Sequence, residues 1–569
     1  MSTLSKLRRA VSAHLSRAKF SSKIARALIL AAAAAALAAP IEVQAAGKLR
    51  VETKEGPVNG FLVNGVTEYL GIPYAEPPVG NLRWMPPKKH GHWTNVLQAK
   101  AYAPICAQIT TLGAFAGPPN NNEDCLYLNV FTPNLDPSAK LPVIVWIHGG
   151  ANVDGGTPGY DGSKMASDGK TVVVTLAYRL NLMGWFAHPA LDNEGHYFGN
   201  YGILDQQAAL KWVRRNIAKF GGDKNNVTLG GQSAGAADTS YNMVSPLAKG
   251  LFQRAICESW CSPRTLSTTA AAEAKGIAFS VAAGCGSGTD AATAKCLRSL
   301  TAAQVEALAG TESAQSQYIA GVMLDPNVIP IQQATAFATG QYMHIPVMNG
   351  NTEDEWTFFL GITEYFSGPP RVPPTAAQYL NYVNTTYATP HYPAGTAAKV
   401  LANYPLSAFA SPLLAWNRLV TDTTICSQRA LDKILAPNVP LYTYEFDDQT
   451  APLYFPKMPD FVSLAYHTSD IQYLFPLWHG GPAPPSKIHP LNKKQTALSD
   501  QLVTAWTNFA WTGNPNGVGN YPWPRYTNSP TKPQWLIQDI PAMSTVTDPQ
   551  YAALRKCDFW DAVTASLNP

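Results

Sequence analysis

Five residues near the middle of the chain, Gly231-Gln232-Ser233-Ala234-Gly235, have the types and spacing to present a nucleophile. Asn226-Val227-Thr228-Leu229 just upstream reads as a short strand, and the small residues Ala234 to Ala237 can open a helix against it. A strand, a glycine-flanked turn and a helix in that order lift a serine hydroxyl clear of a sheet. A serine at neutral pH is a poor nucleophile, so this chemistry needs a histidine to take its proton and a carboxylate to fix the histidine's tautomer. It also needs backbone N–H groups aimed at the developing oxyanion.

Candidates for each role can be read from the sequence. His148-Gly149-Gly150-Ala151 follows the apolar run Val143–Ile147, and its small residues let backbone amides approach a ligand; Ala234, next after the serine, offers another N–H. Asn349 to Glu355 follows a strand-like Ile345-Pro346-Val347-Met348 and carries three acids, Glu353, Asp354 and Glu355, among which spacing alone does not choose. Downstream stand His391, His467, His479 and His489. His467, in Ala465-Tyr466-His467-Thr468-Ser469-Asp470 soon after the strand-like Leu441–Glu445, is the best placed, because His479 and His489 lie in Gly/Pro-rich sequence and His391 precedes that strand.

The elements that must position these residues alternate. Val143–Ile147 and Thr171–Leu176 are apolar runs without polar alternation, which fits strands buried on both faces. Ile203, Leu210, Val213, Ile217 and Phe220 recur at helical spacing between Asp205, Lys211, Arg214 and Arg215, an amphipathic crossover helix. Further strands are expected at Ala255–Cys257, Ile345–Met348 and Leu441–Glu445, and a helix over Thr496–Phe509. The expectation is an α/β fold with a large, mostly parallel sheet, helices on both faces and long loop insertions, begun by a small antiparallel section from Leu49–Thr53 and Val58–Val66.

Composition bounds the rest. The 569 residues are 46% apolar and 14% charged, with 46 prolines, 14 tryptophans and 25 tyrosines, which suits long ordered loops and aromatic-lined pockets. Seven Lys/Arg precede an uncharged stretch from Ala27 to Ile41, so residues 1–45 read as a signal peptide, and 46–569 as a single domain. The apolar stretch is too short for the roughly 20 residues of a membrane span. Without this leader 35 basic residues face 37 acidic ones, so nothing points to nucleic acid or to an anionic membrane surface. A secreted or periplasmic protein is expected, without stable membrane insertion after cleavage. All eight cysteines lie beyond the leader, where disulfides are expected. Cys257 and Cys261 have no neighbouring histidine or second pair at zinc spacing, so no metal site is expected.

Longer blocks carry a resemblance. Gly71-Ile72-Pro73-Tyr74-Ala75-Glu76-Pro77-Pro78-Val79-Gly80 with Leu82-Arg83-Trp84, then Glu123-Asp124-Cys125-Leu126-Tyr127-Leu128-Asn129-Val130, then Phe220-Gly221-Gly222-Asp223 through Gly235, resemble the signatures of the type-B carboxylesterases. That cholinesterase-like family of the α/β-hydrolase fold also includes fungal lipases and the non-catalytic neuroligins. The likeness runs from about residue 49 to 562 and implies a serine esterase working through an acyl-enzyme on a small-molecule ester, with no cofactor. It selects Glu355 among the three acids, supports His467, and assigns the oxyanion donors to Gly150, Ala151 and Ala234. It also implies disulfides Cys106 with Cys125, Cys285 with Cys296 and Cys426 with Cys557; Cys257 and Cys261 are expected to be free.

Departures from the family qualify the substrate. The Cys106–Cys125 loop has no tryptophan, whereas cholinesterases use one there to hold a quaternary ammonium, so a choline ester is disfavoured. Trp260 stands where the family usually has glycine, and is expected to narrow the acyl side of the pocket. The alternatives are an interfacially activated lipase, with Leu112, Ala114 and Phe115 in an apolar lid, and a neuroligin-like binding protein.

Overall fold

The apolar runs assemble into one eleven-stranded sheet. In chain order its strands are β1 (Phe61–Val63), β2 (Val66–Pro73), β3 (Tyr127–Thr132), β4 (Leu141–Ile147), β5 (Val172–Leu176), β6 (Gly222–Gln232), β7 (Arg254–Glu258), β8 (Val347–Thr352), β9 (Leu441–Phe446), β10 (Pro533–Gln538) and β11 (Ser544–Thr547). Across the sheet the order is β11-β10-β9-β8-β7-β6-β4-β5-β3-β2-β1. The block from β10 to β5 is parallel, and antiparallel strands close both edges. The structure is a computed structural model in which residues 49–110, 112, 117–311, 314–315, 317–476 and 489–567 are described. Residues 1–45, Ala114, Phe115 and His479 lie outside the described residues.

Successive residues along the central strands fall into opposite cores. Val143, Val145 and Ile147 of β4 and Val172 and Val174 of β5 pack on one face. Ile144 and Trp146, with Val173, pack on the other. A two-residue period with both faces buried leaves no polar alternation to see in the sequence. Helix Tyr201–Asn216 lies on the first face, burying Ile203, Leu210 and Val213. Helix Lys493–Thr512 lies on the second, burying Leu502, Trp506 and Phe509. This is the α/β-hydrolase architecture, and the residues from Val51 to Pro569 form one compact unit.

The start of the chain differs from the expectation. Phe61–Val63 and Val66–Pro73 do form an antiparallel hairpin at the sheet edge. Pro57–Asn59, however, leaves that sheet and pairs in parallel with Leu97–Gln98 in a separate small one. Leu97–Gln98 is two residues long, too short to register as a strand in the sequence.

Three disulfides, Cys106–Cys125, Cys285–Cys296 and Cys426–Cys557, join the pairs that the resemblance implied. The last spans 131 residues and ties the long helix Pro412–Leu435 to the C-terminal helix Cys557–Ala565, so in the chain-entropy view it constrains the unfolded chain most, by about 5 kcal/mol. Cys257 and Cys261 are buried and free. Among the described residues no helix is long and apolar enough to cross a membrane, and no cluster of three His, Cys, Asp or Glu side chains could hold a metal ion.

Candidate active site

Parallel strands in register end together, and that places the candidate residues. Ile147 at the end of β4 lies beside Gly231, and Glu258 at the end of β7 is beside both Gln232 and Gly350. The segments following β4, β6, β7 and β8 therefore emerge side by side at the carboxyl edge, where open α/β sheets bind ligands.

Ser233 sits at φ 59° and ψ −122°, at the turn from β6 into helix Ala234–Val244. Its N–H donates to the Glu258 carbonyl at 2.8 Å, which pins the turn against β7. The flanking glycines are required sterically: a Cβ on Gly235 would fall 2.1 Å from the Ile147 carbonyl oxygen, and one on Gly231 within 2.6 Å of Gly235 and Ile147 backbone. Such a turn stores of the order of 1–3 kcal/mol of backbone strain, held by the surrounding sheet.

Three peptide groups beside Ser233 have their carbonyls tied away from the cavity. The Gly149 oxygen is engaged by His148 Nδ1 at 2.7 Å. The Gly150 oxygen accepts from Val153 and Asp154 N–H at 3.0 and 3.1 Å, and the Ser233 oxygen accepts from Ala236 and Ala237 N–H at 3.0 Å each. In a trans peptide the N–H points opposite the C=O. The N–H groups of Gly150, Ala151 and Ala234 are thus aimed the other way, and these three residues line the cavity with Ser233. None of the three donates to another backbone or side chain among the described residues.

The Gly149–Asn152 turn is braced from behind. Gly150, Ala151 and Asn152 have φ of 115°, 54° and 63°. Asn152 donates from its amide to Asp238 at 2.9 Å, and its side-chain oxygen takes the Tyr178 hydroxyl at 3.0 Å. Trp185 Nε1–H donates to its carbonyl at 2.8 Å. Burial pushes His148 down to about 4, so its ring is neutral and accepts or donates without bringing charge to the turn.

Glu355, the first residue of helix Glu355–Phe366, and His467 are both buried and hydrogen-bonded through Glu355 Oε2 and His467 Nδ1. Oε1 of Glu355 accepts the Ser259 hydroxyl at 2.5 Å and the Thr352 N–H at 2.9 Å. A parallel bridge between Asp354 and Tyr466, with Asp354 N–H donating to Ala465 at 3.0 Å, sets the two segments at this spacing. Glu353 instead pairs with Arg418 and Arg555, each at 3.3 Å, and Asp354 accepts the Asn417 amide at 2.7 Å. His391 and His489 are exposed.

Ser233 and His467 line one cavity of about 360 Å³. No hydrogen bond joins them among the described residues; Gln232 Nε2 stands 3.1 Å from His467 Nε2 instead. Hydrogen bonds of this kind often tighten only in the complex with substrate, and here that requires the Gln232 amide to release the ring nitrogen. The cavity wall around His467 is aromatic: Trp260, Phe359 and Phe358 lie with ring centroids 5.5, 5.1 and 5.7 Å from the imidazole. Trp260 also contacts Trp356 at 6.0 Å. Leu112 reaches the same cavity.

Beneath the site lie two acids that sequence reasoning missed. Glu258 is buried, takes the Trp506 indole N–H at 2.5 Å, and is pushed well up by burial and then by Asp470. Asp470 is itself raised to about 7 by burial and by Glu355. The folded chain therefore keeps the Glu258 proton that the unfolded chain releases above about 4.5, so the contribution of Glu258 to stability falls as pH rises beyond that value. Glu258→Gln removes the titration while keeping an acceptor for Trp506. Its stability relative to wild type is expected to rise by about 1 kcal/mol per pH unit from pH 5 toward neutrality. Calorimetric melts at pH 5 and 8 check this, and an equal difference at both pH values contradicts it.

A model described as the carboxylesterase family matches residues 47–560. The chain belongs to the carboxylesterase family. Para-nitrobenzyl esterase of Bacillus subtilis (strain 168) is 37% identical over 84% of this chain and 92% of its own. Fumonisin B1 esterase of Sphingopyxis macrogoltabida is 32% identical over 90% of this chain and 91% of its own. A solved thermophilic PNB esterase superposes with a TM-score of 0.71 at 32% identity, covering 89% of this chain and 99% of that one. The protein is a carboxylic ester hydrolase of the serine type.

Proposed function

We propose that Ser233 is the nucleophile of this carboxylesterase, His467 its general base and acid, and Glu355 the carboxylate that orients His467. The observation that carries the reading is the hydrogen-bonded Glu355–His467 pair opening into the same cavity as the serine elbow. With its Nδ1 proton held by Glu355, His467 presents an unprotonated Nε2. Ser233 Oγ attacks the ester carbonyl and its proton passes to Nε2. The tetrahedral oxyanion sits against the N–H groups of Gly150, Ala151 and Ala234, where a single donor is worth about 3 kcal/mol. The alcohol leaves with the proton from Nε2, and water, deprotonated by the same nitrogen, hydrolyses the acyl-enzyme. An organophosphonate should label Ser233 once per chain and extinguish hydrolysis in proportion; labelling elsewhere with activity lost would refute the assignment.

We further propose that the protein is exported, with residues 1–45 as its leader. The basic and apolar pattern of that segment supports this, as do three disulfides, which persist in oxidising compartments. N-terminal sequencing of the mature protein from its native host should begin near Ala46; an intact Met1 terminus would refute the leader.

A further inference from the structure

The cavity beside Ser233 is lined mainly by glycine, aromatic and aliphatic residues, yet one permanent charge faces into it. Arg264 lines the same space as Ser233 and His467, and no Asp or Glu among the described residues lines it. The guanidinium makes no ion pair and no side-chain hydrogen bond within the described chain. Other buried or half-buried arginines here do: Arg179 pairs with Asp205 at 2.7 Å, Arg429 with Asp548 at 2.6 Å and Arg298 with Glu194 at 2.6 Å. The acid whose field reaches Arg264, Asp238, already accepts the amides of Asn152 and Gln206 at 2.9 and 2.5 Å. Tyr241 is the other titratable group facing Arg264.

Its position is built. Arg264 N–H donates to Gln333 Oε1 at 3.3 Å. Two residues on, Leu266 exchanges hydrogen bonds with the Gln332 side chain, both at 2.9 Å. The guanidinium lies over the Trp260 ring at 5.0 Å, and the Trp260 and His467 rings meet in a T-shaped arrangement with centroids 5.5 Å apart. One indole thus separates the cation from the imidazole. By surface area Arg264 is exposed, yet it lines the cavity, and desolvation by its surroundings lowers its affinity for the proton. An arginine remains charged regardless, and a poorly solvated charge without a partner is costly unless a ligand supplies the counter-charge. The planar fork matches a carboxylate with two parallel N–H···O bonds.

We propose that Arg264 is a specificity-determining residue that makes this cavity a site for esters carrying a second, free carboxylate. The proposal rests on Ser233 being the nucleophile in that cavity. The carboxylate belongs either to the acyl part, as in a dicarboxylic acid half-ester, or to the alcohol part.

Two matched substrate pairs separate these sources. Ethyl hydrogen adipate against ethyl hexanoate probes the acyl side, and 4-acetoxybenzoate against 4-methylphenyl acetate probes the alcohol side. In Arg264→Gln the ratio of kcat/KM for the anionic ester to that for its neutral partner should fall about tenfold or more in one pair, the usual worth of a charge-assisted hydrogen bond. Arg264→Lys should retain part of the ratio, because it keeps the charge and loses the fork. An unchanged ratio in both pairs overturns the proposal. If the variants fold poorly, wild-type enzyme decides: benzoate should inhibit hydrolysis of a neutral ester at least about tenfold more strongly than benzamide, and equal inhibition overturns the proposal. Full activity in Ser233→Ala would instead refute the nucleophile, a separate failure from an unchanged ratio.

Discussion

Replacing Ser233 by alanine is expected to lower kcat by about 10⁴- to 10⁶-fold, with KM changed far less. The hydroxyl oxygen is the only heavy atom lost, and Ser233 lies on the cavity wall, so the cavity, the donors at Gly150, Ala151 and Ala234, and the Glu355–His467 pair should persist. Their persistence predicts a residual rate about 10³-fold above water, from oxyanion stabilisation and substrate positioning alone. The pre-steady-state burst that reports acyl-enzyme should disappear, because no oxygen remains to carry the acyl group. Thermal stability should move little, since alanine meets the same positive φ as serine and no hydrogen bond from the hydroxyl is lost within the described chain. A Ser233→Ala enzyme within about tenfold of wild-type kcat would exclude the mechanism.

What made this site readable in advance was sterics. Gly231 and Gly235 are needed because a Cβ at either would meet the backbone of Ile147, and that requirement leaves a visible pattern around Ser233. The central strands were legible for a related reason: Val143–Ile147 is buried on both faces, so hydrophobicity runs unbroken. Contacts made only in the folded chain left no such trace. Ser259, which donates to Glu355, is 96 residues distant from it in sequence and carries no motif. Arg264 reads as an ordinary loop cation until the fold closes a cavity around it. Glu353, Asp354 and Glu355 are chemically alike in the sequence, and it is the turn into helix Glu355–Phe366 that sends them to Arg418, Asn417 and His467 respectively. Trp260 is the instructive case. Its φ of 87° is glycine-like, which gives a physical reason for the glycine usual at this position in the resembled family. Here the strain is met by packing of the indole on Trp356, Phe359 and His467, and it turns a ring into the cavity wall.

Glu355→Gln should be nearly as damaging as loss of the nucleophile, for a reason set by the hydrogen bonds on the opposite carboxylate oxygen. Oε1 accepts from both Ser259 and Thr352, so only the amide oxygen of a glutamine can occupy that place. Its NH₂ group must then face His467 Nδ1 where Oε2 stood. A donor facing Nδ1 forces that nitrogen to accept, which puts the ring proton on Nε2, and a protonated Nε2 cannot take the proton of Ser233. The expected cost is about 10⁴-fold in kcat, the size of effect a reversed tautomer produces when the carboxylate partner of a catalytic histidine becomes an amide. Nitrogen-15 chemical shifts of the imidazole should show the proton moved from Nδ1 to Nε2. Of the two partners, the Thr352 backbone N–H fixes the amide, because it can only donate whereas the Ser259 hydroxyl can also accept, so the double variant Glu355→Gln with Ser259→Ala should stay as slow as Glu355→Gln alone. If Glu355→Gln keeps kcat within about tenfold of wild type, or if its histidine still carries the proton on Nδ1, orientation of His467 by Glu355 is not what drives the reaction.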